Sequence, residues 1–187
     1  MVNHARNLEL KVQCPPAALD VLRARVESLV CAPIQRLHQI DTYFRVERGR
    51  LKLREIRGER DSSMTERAEL IAYVRPSDGG SRWSSYQVVP ITAQVTPNLL
   101  AGLLMTHDQH ARVDKVRHVA EIGHTRVHLD RVESVGTFVE LETVISTQSE
   151  SEAAEEHQRM IDLLGLARYP SVAGSYSDLA LVAHAVS

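Results

Sequence analysis

Short alternating segments carry the chemistry of this chain. Arg50-Leu51-Lys52-Leu53-Arg54 alternates cationic and aliphatic residues, and Lys115-Val116-Arg117 repeats the pattern. In Val139-Glu140-Leu141-Glu142, carboxylates take the place of the cations. Arg126, His128 and Asp130 alternate with Val127 and Leu129; Asn7, Glu9, Lys11 and Gln13 alternate with Leu8, Leu10 and Val12. Glu69, Tyr73 and Arg75 oppose Ala68, Leu70, Ala72 and Val74. Successive side chains of a strand point to opposite faces, so each segment has one charged and one apolar face. Lys and Arg arrays neutralise a polyanion, and carboxylates hold hard divalent cations that bridge its oxygens.

The elements that must position these residues follow from pattern and punctuation. Residues 7–13 are predicted to form a strand, and Pro15-Pro16 opens a helix to about Val30 with Leu19, Leu22, Val26 and Leu29 at helical spacing. An extended run over 34–46 turns at Glu47 to Gly49 into a partner strand over 50–57. Further strands are expected over 66–75 and 85–91. Thr96 is expected to cap a helix to about Met105, with Pro97 at its first position. Strands near 112–121, 124–132 and 136–146 precede a helix over 150–164 that stops at Gly165, and a short helix over 174–183. Eight strands with helices between them give an α+β chain, a closed antiparallel barrel with helices packed outside.

A sheet with one solvated polar face would also alternate. Two features argue against it. Cations concentrate on some strands and carboxylates on others, whereas a solvated face mixes polar types. The helices also carry apolar stripes that need a partner, and the apolar strand faces are the available surface. With the helices outside, the charged faces turn inward. Buried charges are costly unless paired or holding ions, so the charged lumen is expected to hold a polyanion with hard divalent cations.

In order along the chain, the segments Asn7-Leu8-Glu9-Leu10-Lys11, Gln39-Ile40-Asp41-Thr42-Tyr43-Phe44, Gly49-Arg50-Leu51-Lys52-Leu53-Arg54, Glu69 to Pro76, Lys115-Val116-Arg117, Thr125 to Asp130, Gly136 to Glu142 and Ser175-Tyr176-Ser177-Asp178-Leu179 resemble the CYTH superfamily of triphosphate tunnel metalloenzymes. That superfamily includes class IV adenylate cyclases, thiamine triphosphatases and inorganic triphosphatases. The resemblance spans nearly the whole chain and implies a single domain over 1–187. It implies Glu9, Lys11, Glu140 and Glu142 as the catalytic set. Its metal ligands would be Glu140 and Glu142, with Glu9 and Asp130 contributing directly or through water. Its phosphate ligands would be Lys11, Lys52, Arg54, Arg75, Lys115, Arg117 and Arg126. The family motif opens Glu-x-Glu-x-Lys; Asn7 stands at the first Glu, so one anionic ligand is lost and a second metal site is weakened.

The implied activity is metal-dependent P–O cleavage of a triphosphate or nucleoside triphosphate, by hydrolysis or by cyclisation. Two other readings remain. Asn7 favours a non-catalytic polyphosphate- or nucleotide-binding protein. A lyase or cyclase releasing pyrophosphate from an organic (for example prenyl) diphosphate would need an apolar extension of the lumen, for which Ile71, in phase with Glu69 and Tyr73, is the hint. His128 is expected as a spacer or a lumen base. Trp83 and Tyr86 are candidates to stack an organic group at the barrel mouth, and Tyr176 and Asp178 to plug one barrel end.

Composition excludes several classes. The 187 residues are 43% apolar, 25% charged and only 4% aromatic, with net charge −2. No nucleic-acid footprint is expected from that balance. Cys14 and Cys31 have no metal-ligand spacing and are expected to be reduced thiols. No apolar run approaches a membrane span of ~20 residues, and MVNHARNLELKV lacks a secretory apolar core, so a cytoplasmic protein, monomer or homodimer, is expected.

Overall fold

The computed structural model of the chain describes residues 5–57, 65–74 and 81–186. Its strands are β1 (Ala5–Gln13), β2 (Gln35–Phe44), β3 (Arg50–Arg57), β4 (Thr65–Val74), β5 (Arg82–Thr92), β6 (Gln109–Ile122), β7 (Thr125–Val132) and β8 (Gly136–Val144). The helices are α1 (Pro16–Leu29), α2 (Thr96–Thr106), α3 (Glu150–Leu164) and α4 (Tyr176–Val186). The strands close a barrel in the order β1-β5-β4-β3-β2-β6-β7-β8, every neighbouring pair antiparallel, with β8 returning to β1. Closure removes the free sheet edges that an open sheet of this length would expose.

The apolar strand faces point outward against helices. Leu10, Val12, Val127, Leu129, Val139 and Leu141 form one buried cluster with Leu19, Leu22 and Val26 of α1 and Met160, Ile161 and Leu164 of α3. Leu99, Leu100 and Leu103 of α2 cover Phe44, Leu53 and Ala68. The barrel interior is thereby left to the other face. At one end it is closed: Tyr43, Val113, Val132 and Phe138 pack with Tyr176 and Ala180 of α4, and the Phe138 and Tyr176 rings meet edge-on with centroids 5.1 Å apart. Among the described residues no helix is long and apolar enough to cross a membrane.

Several boundaries differ from expectation. The strand over 34–46 ends at Phe44, because the Arg45 N–H turns to the Asp108 carbonyl at 2.9 Å. Thr96 is not a cap: it is the first residue of α2, its hydroxyl donates to the Thr92 carbonyl at 2.8 Å, and Val95 precedes the helix. The last helix starts at Tyr176 after Gly174 (φ 83°). Gly49 in the β2–β3 turn has φ 70°, and a Cβ there would lie 2.7 Å from the Tyr73 carbonyl oxygen, so only glycine lets β3 return beside β4.

His157, which has no recognisable partner spacing in the sequence, pins α3 to the barrel. Its Nδ1 lies 2.9 Å from Thr143 Oγ1 and its Nε2 3.2 Å from Ser81 Oγ. Thr143 Oγ1 lies 2.8 Å from Thr125 Oγ1, which donates to Glu156 at 2.8 Å. Burial pushes the His157 ring down to about 4. The unfolded chain therefore binds a proton between about pH 6.5 and 4 that the folded ring refuses, and stability falls as the pH drops through that window by up to about 3 kcal/mol. Urea unfolding at pH 7 and pH 4 is expected to show this loss in the wild type and a smaller loss in His157→Gln; equal losses in both would contradict the assignment.

Candidate functional site: a charged lumen

The register sets which side chains share the interior. Glu9 is directly opposite Glu142, Lys11 opposite Glu140, Arg126 opposite Glu142, His128 opposite Glu140 and Lys52 opposite Tyr43. Directly opposed residues in an antiparallel pair lie on one face. They enclose a lumen of about 370 Å³, within the usual range of small-molecule sites. Of the residues expected there, Glu9, Lys11, Lys52, Arg54, Lys115, Arg117, Arg126, Glu140 and Glu142 all line it. Arg75 lies outside the described residues.

The cationic half is built on a residue with no assigned role in the sequence reading. Asp41 is fully buried, and its carboxylate accepts from Lys52 Nζ at 3.0 Å, Arg54 Nε at 2.8 Å and Lys115 Nζ at 2.8 Å. One anion therefore sits under three cations, and the layer stays positive toward the lumen. Burial would raise the Asp41 carboxyl, but Arg54, Lys115 and Lys52 hold it well below the usual range. The reverse acts on the amines. Burial pushes Lys115 down to about 8, opposed by Asp41 and reinforced by Arg54 and Arg117, and burial together with Arg54 lowers Lys52 as well.

A second anchor holds Arg117. Its Nε donates to Asp130 Oδ1 at 2.7 Å, its Nη2 contacts Asp130 Oδ2 and Glu140 Oε2 at 2.8 Å, and the Tyr176 hydroxyl donates to Asp130 Oδ2 at 2.7 Å. Burial, Asp130 and Glu140 push the Tyr176 hydroxyl up, so it stays a donor. Asp130, expected to contribute to a metal site directly or through water, is fully buried behind the lumen wall and anchors Arg117 and Tyr176. Tyr176 and Asp178 hold the plug, Asp178 accepting from Arg50 Nη2 at 2.9 Å. Arg50 consequently serves the α4 contact at the rim.

The acidic wall lies on β8 and β1, with Arg126 and His128 of β7 beside it. Glu140 is 3.5 Å from Lys11 Nζ, and that ammonium stands 4.0 Å from the Tyr176 ring centroid. Burial would raise the Glu140 carboxyl, but Lys11, His128 and Arg117 hold it well below its usual range. Glu142 lies 3.3 Å from Arg126 Nε and accepts from the Asn7 amide. These carboxylates are compensated by cations rather than facing one another as bare charges. His128 Nδ1 is buried without a hydrogen-bond partner, 3.7 Å from Glu140 Oε2, and burial followed by Arg117 lowers its pKa. Asn7 Oδ1 and Gln39 Oε1 are likewise buried acceptors without partners. Trp83 packs outside the lumen, 5.2 Å beneath the Arg6 guanidinium, whereas Tyr86 lines it and accepts from Arg126 at 3.3 Å.

A hard divalent cation fits this donor set. Glu9, Glu140 and Glu142 supply carboxylate oxygens on two adjacent strands of the lumen wall. Among the described residues no group of three or more His, Cys, Asp and Glu side chains is already gathered around one point, so substrate oxygens and water would have to complete the shell.

The CYTH domain family model matches residues 5–176. The chain is a member of the CYTH family. Solved structures share the fold at low identity. The PH1012 protein of Pyrococcus horikoshii is 18% identical with a TM-score of 0.70, covering 92% of this chain and 98% of that one. A Vibrio parahaemolyticus protein described as a candidate adenylate cyclase is 17% identical with a TM-score of 0.63, covering 92% and 96%. HpAC1 of Hippeastrum, an adenylyl cyclase candidate described as having a dominant triphosphatase activity, is 14% identical with a TM-score of 0.61, covering 90% and 91%. No curated protein matches the chain significantly. Tunnel metalloenzymes of the CYTH family are generally divalent-metal dependent.

The depressed Lys115 has a measurable consequence. A polyanion beside it favours the charged ammonium and raises its pKa from about 8. At pH 8.5, tripolyphosphate binding is expected to take up protons, and affinity should decline as pH rises further. Calorimetry in two buffers of different ionisation enthalpy reads the proton count; zero uptake, or release, would contradict the arrangement.

Proposed function

We propose that this chain binds the phosphate chain of a triphosphate or nucleoside triphosphate in the lumen and cleaves a P–O bond with Mg²⁺ or Mn²⁺. The observation that carries the reading is that two sets line one cavity: Lys11, Lys52, Arg54, Lys115 and Arg117, and Glu9, Glu140 and Glu142. The cations are pre-positioned by Asp41 and Asp130, so they need no reorganisation when charge builds on the phosphoryl oxygens. A bound cation held by Glu9, Glu140 and Glu142 would supply further charge neutralisation at those oxygens. The closed end keeps bulk water from the buried cations, which strengthens each contact.

Phosphoryl transfer needs little from the protein beyond position and charge. Water attacking a phosphorus forms the new P–O bond, the bridging P–O bond breaks, and its electron pair leaves with the shortened phosphate product. His128, which lines the lumen beside Glu140 and Glu142, would take the water proton. A hydroxyl of the substrate itself in place of water gives the cyclic product. Arg126 stands at the open side, its side chain 35% exposed and tied to Glu142 and Tyr86, where it meets the outer part of the chain.

Glu140→Gln and Glu142→Gln are expected to lower turnover of tripolyphosphate or ATP with Mg²⁺ or Mn²⁺ by roughly 100-fold or more, the scale at which charge-stabilising groups act. Phosphate release and product separation measure this, with thermal melts as the folding control. Wild-type protein that binds tripolyphosphate but turns over neither these substrates nor a prenyl diphosphate with either metal would establish a binding protein and overturn the catalytic reading.

A further inference from the structure

The lumen is not charged throughout. Val119 on β6, Leu37 on β2 and Ile56 on β3 all line it, and these are three consecutive strands of the barrel. Leu37 is directly opposite Arg117, and Val119 opposite Gln35; Ile56 is opposite Gln39. Leu37 is therefore the diagonal neighbour of both Val119 and Ile56, and the three make one aliphatic band. On β4 and β5, Ile71 and Val88 are directly opposed and also line the cavity. Each member of the band is one inward position beyond a cationic or polar lining residue: Val119 beyond Arg117, Ile56 beyond Arg54 and Leu37 beyond Gln39. The band lies on the side of the cationic layer away from the α4 plug, whose contacts are with Val113, Tyr43 and Val132.

Aliphatic side chains facing a wet, charged cavity gain nothing from each other unless something apolar covers them. A phosphate chain seated on Lys52, Arg54, Lys115 and Arg117 leaves this band bare. An inorganic polyphosphate has no apolar group with which to cover it. We propose that the substrate is a phosphate chain esterified to an aliphatic group, the phosphates on the cationic layer and the hydrocarbon against Val119, Leu37 and Ile56. This rests on the lumen being a phosphate site, as proposed above, and adds the chemical class of the remainder of the molecule.

The test is a calorimetric series with Mg²⁺ on the whole chain: pyrophosphate, dimethylallyl diphosphate, geranyl diphosphate, tripolyphosphate and ATP. Burying one methylene strengthens binding about fourfold when fully realised. Dimethylallyl diphosphate is expected to bind at least about 10-fold tighter than pyrophosphate, and geranyl diphosphate tighter again. Leu37→Gln and Val119→Thr should shrink that gain while leaving pyrophosphate affinity unchanged. The wild-type series decides even where a variant fails to fold. Equal affinities for pyrophosphate and both prenyl diphosphates, or ATP binding more tightly than geranyl diphosphate, would overturn the aliphatic class while leaving the phosphate site standing. No binding by any phosphate compound would overturn both.

Discussion

The carboxylate of Asp41 is the constraint on which the rest of the site depends. Lys52, Arg54 and Lys115 come from β3 and β6, the strands on either side of Asp41 on β2, and without it three cations would face one another in a buried layer. Removing one partner from a buried ion cluster typically costs about 3–5 kcal/mol, because the remaining charges are left uncompensated. One anion among three cations compensates partly. Burial and Arg54 lower Lys52, and burial with Arg54 and Arg117 lowers Lys115 to about 8, against the pull of Asp41. Asp130 does the same for Arg117, with Tyr176 donating into it from the plug. Each anchor belongs to the fold and to the site at once, so closing the barrel end with α4 also fixes the direction in which Arg117 points.

The barrel architecture explains how so many charges are tolerated. Helices α1, α2 and α3 take the apolar strand faces, and the hydrophobic stabilisation of the chain is collected outside the barrel rather than within it. The interior can then be given over to ion pairs, an acidic wall on β1 and β8, and an aliphatic band on β6, β2 and β3. The three regions lie at different heights and sides of one cavity. On β3 and β6 the cations and the aliphatic residues follow one another along the same strand, Arg54 before Ile56 and Arg117 before Val119.

Most of the charged wall was legible in the sequence because period-two alternation survives wherever one strand face is apolar and the other charged. Lys52 and Arg54, Lys115 and Arg117, and Glu140 and Glu142 are all of this kind. Asp41 was not legible, because β2 is buried on both faces from Gln39 to Phe44 and its alternation is lost. Asp130 was given the right phase, but phase does not show that Arg117 and Tyr176 occupy both its oxygens. Leu37, Ile56 and Val119 look like ordinary core residues, since an aliphatic side chain carries no mark of which face it serves. Trp83 was placed at the mouth by proximity to Tyr86, yet three residues apart in a strand means opposite faces.

Co-crystallisation with a non-hydrolysable triphosphate and Mn²⁺, with anomalous scattering to locate the metal, tests the central claim most directly. The account predicts phosphate oxygens against Lys11, Lys52, Arg54, Lys115 and Arg117, the Asp41 and Asp130 anchors unmoved beneath them, and manganese beside Glu140 and Glu142. Triphosphate bound on the outer surface of the barrel, with the lumen cations still turned only to Asp41 and Asp130, would contradict it.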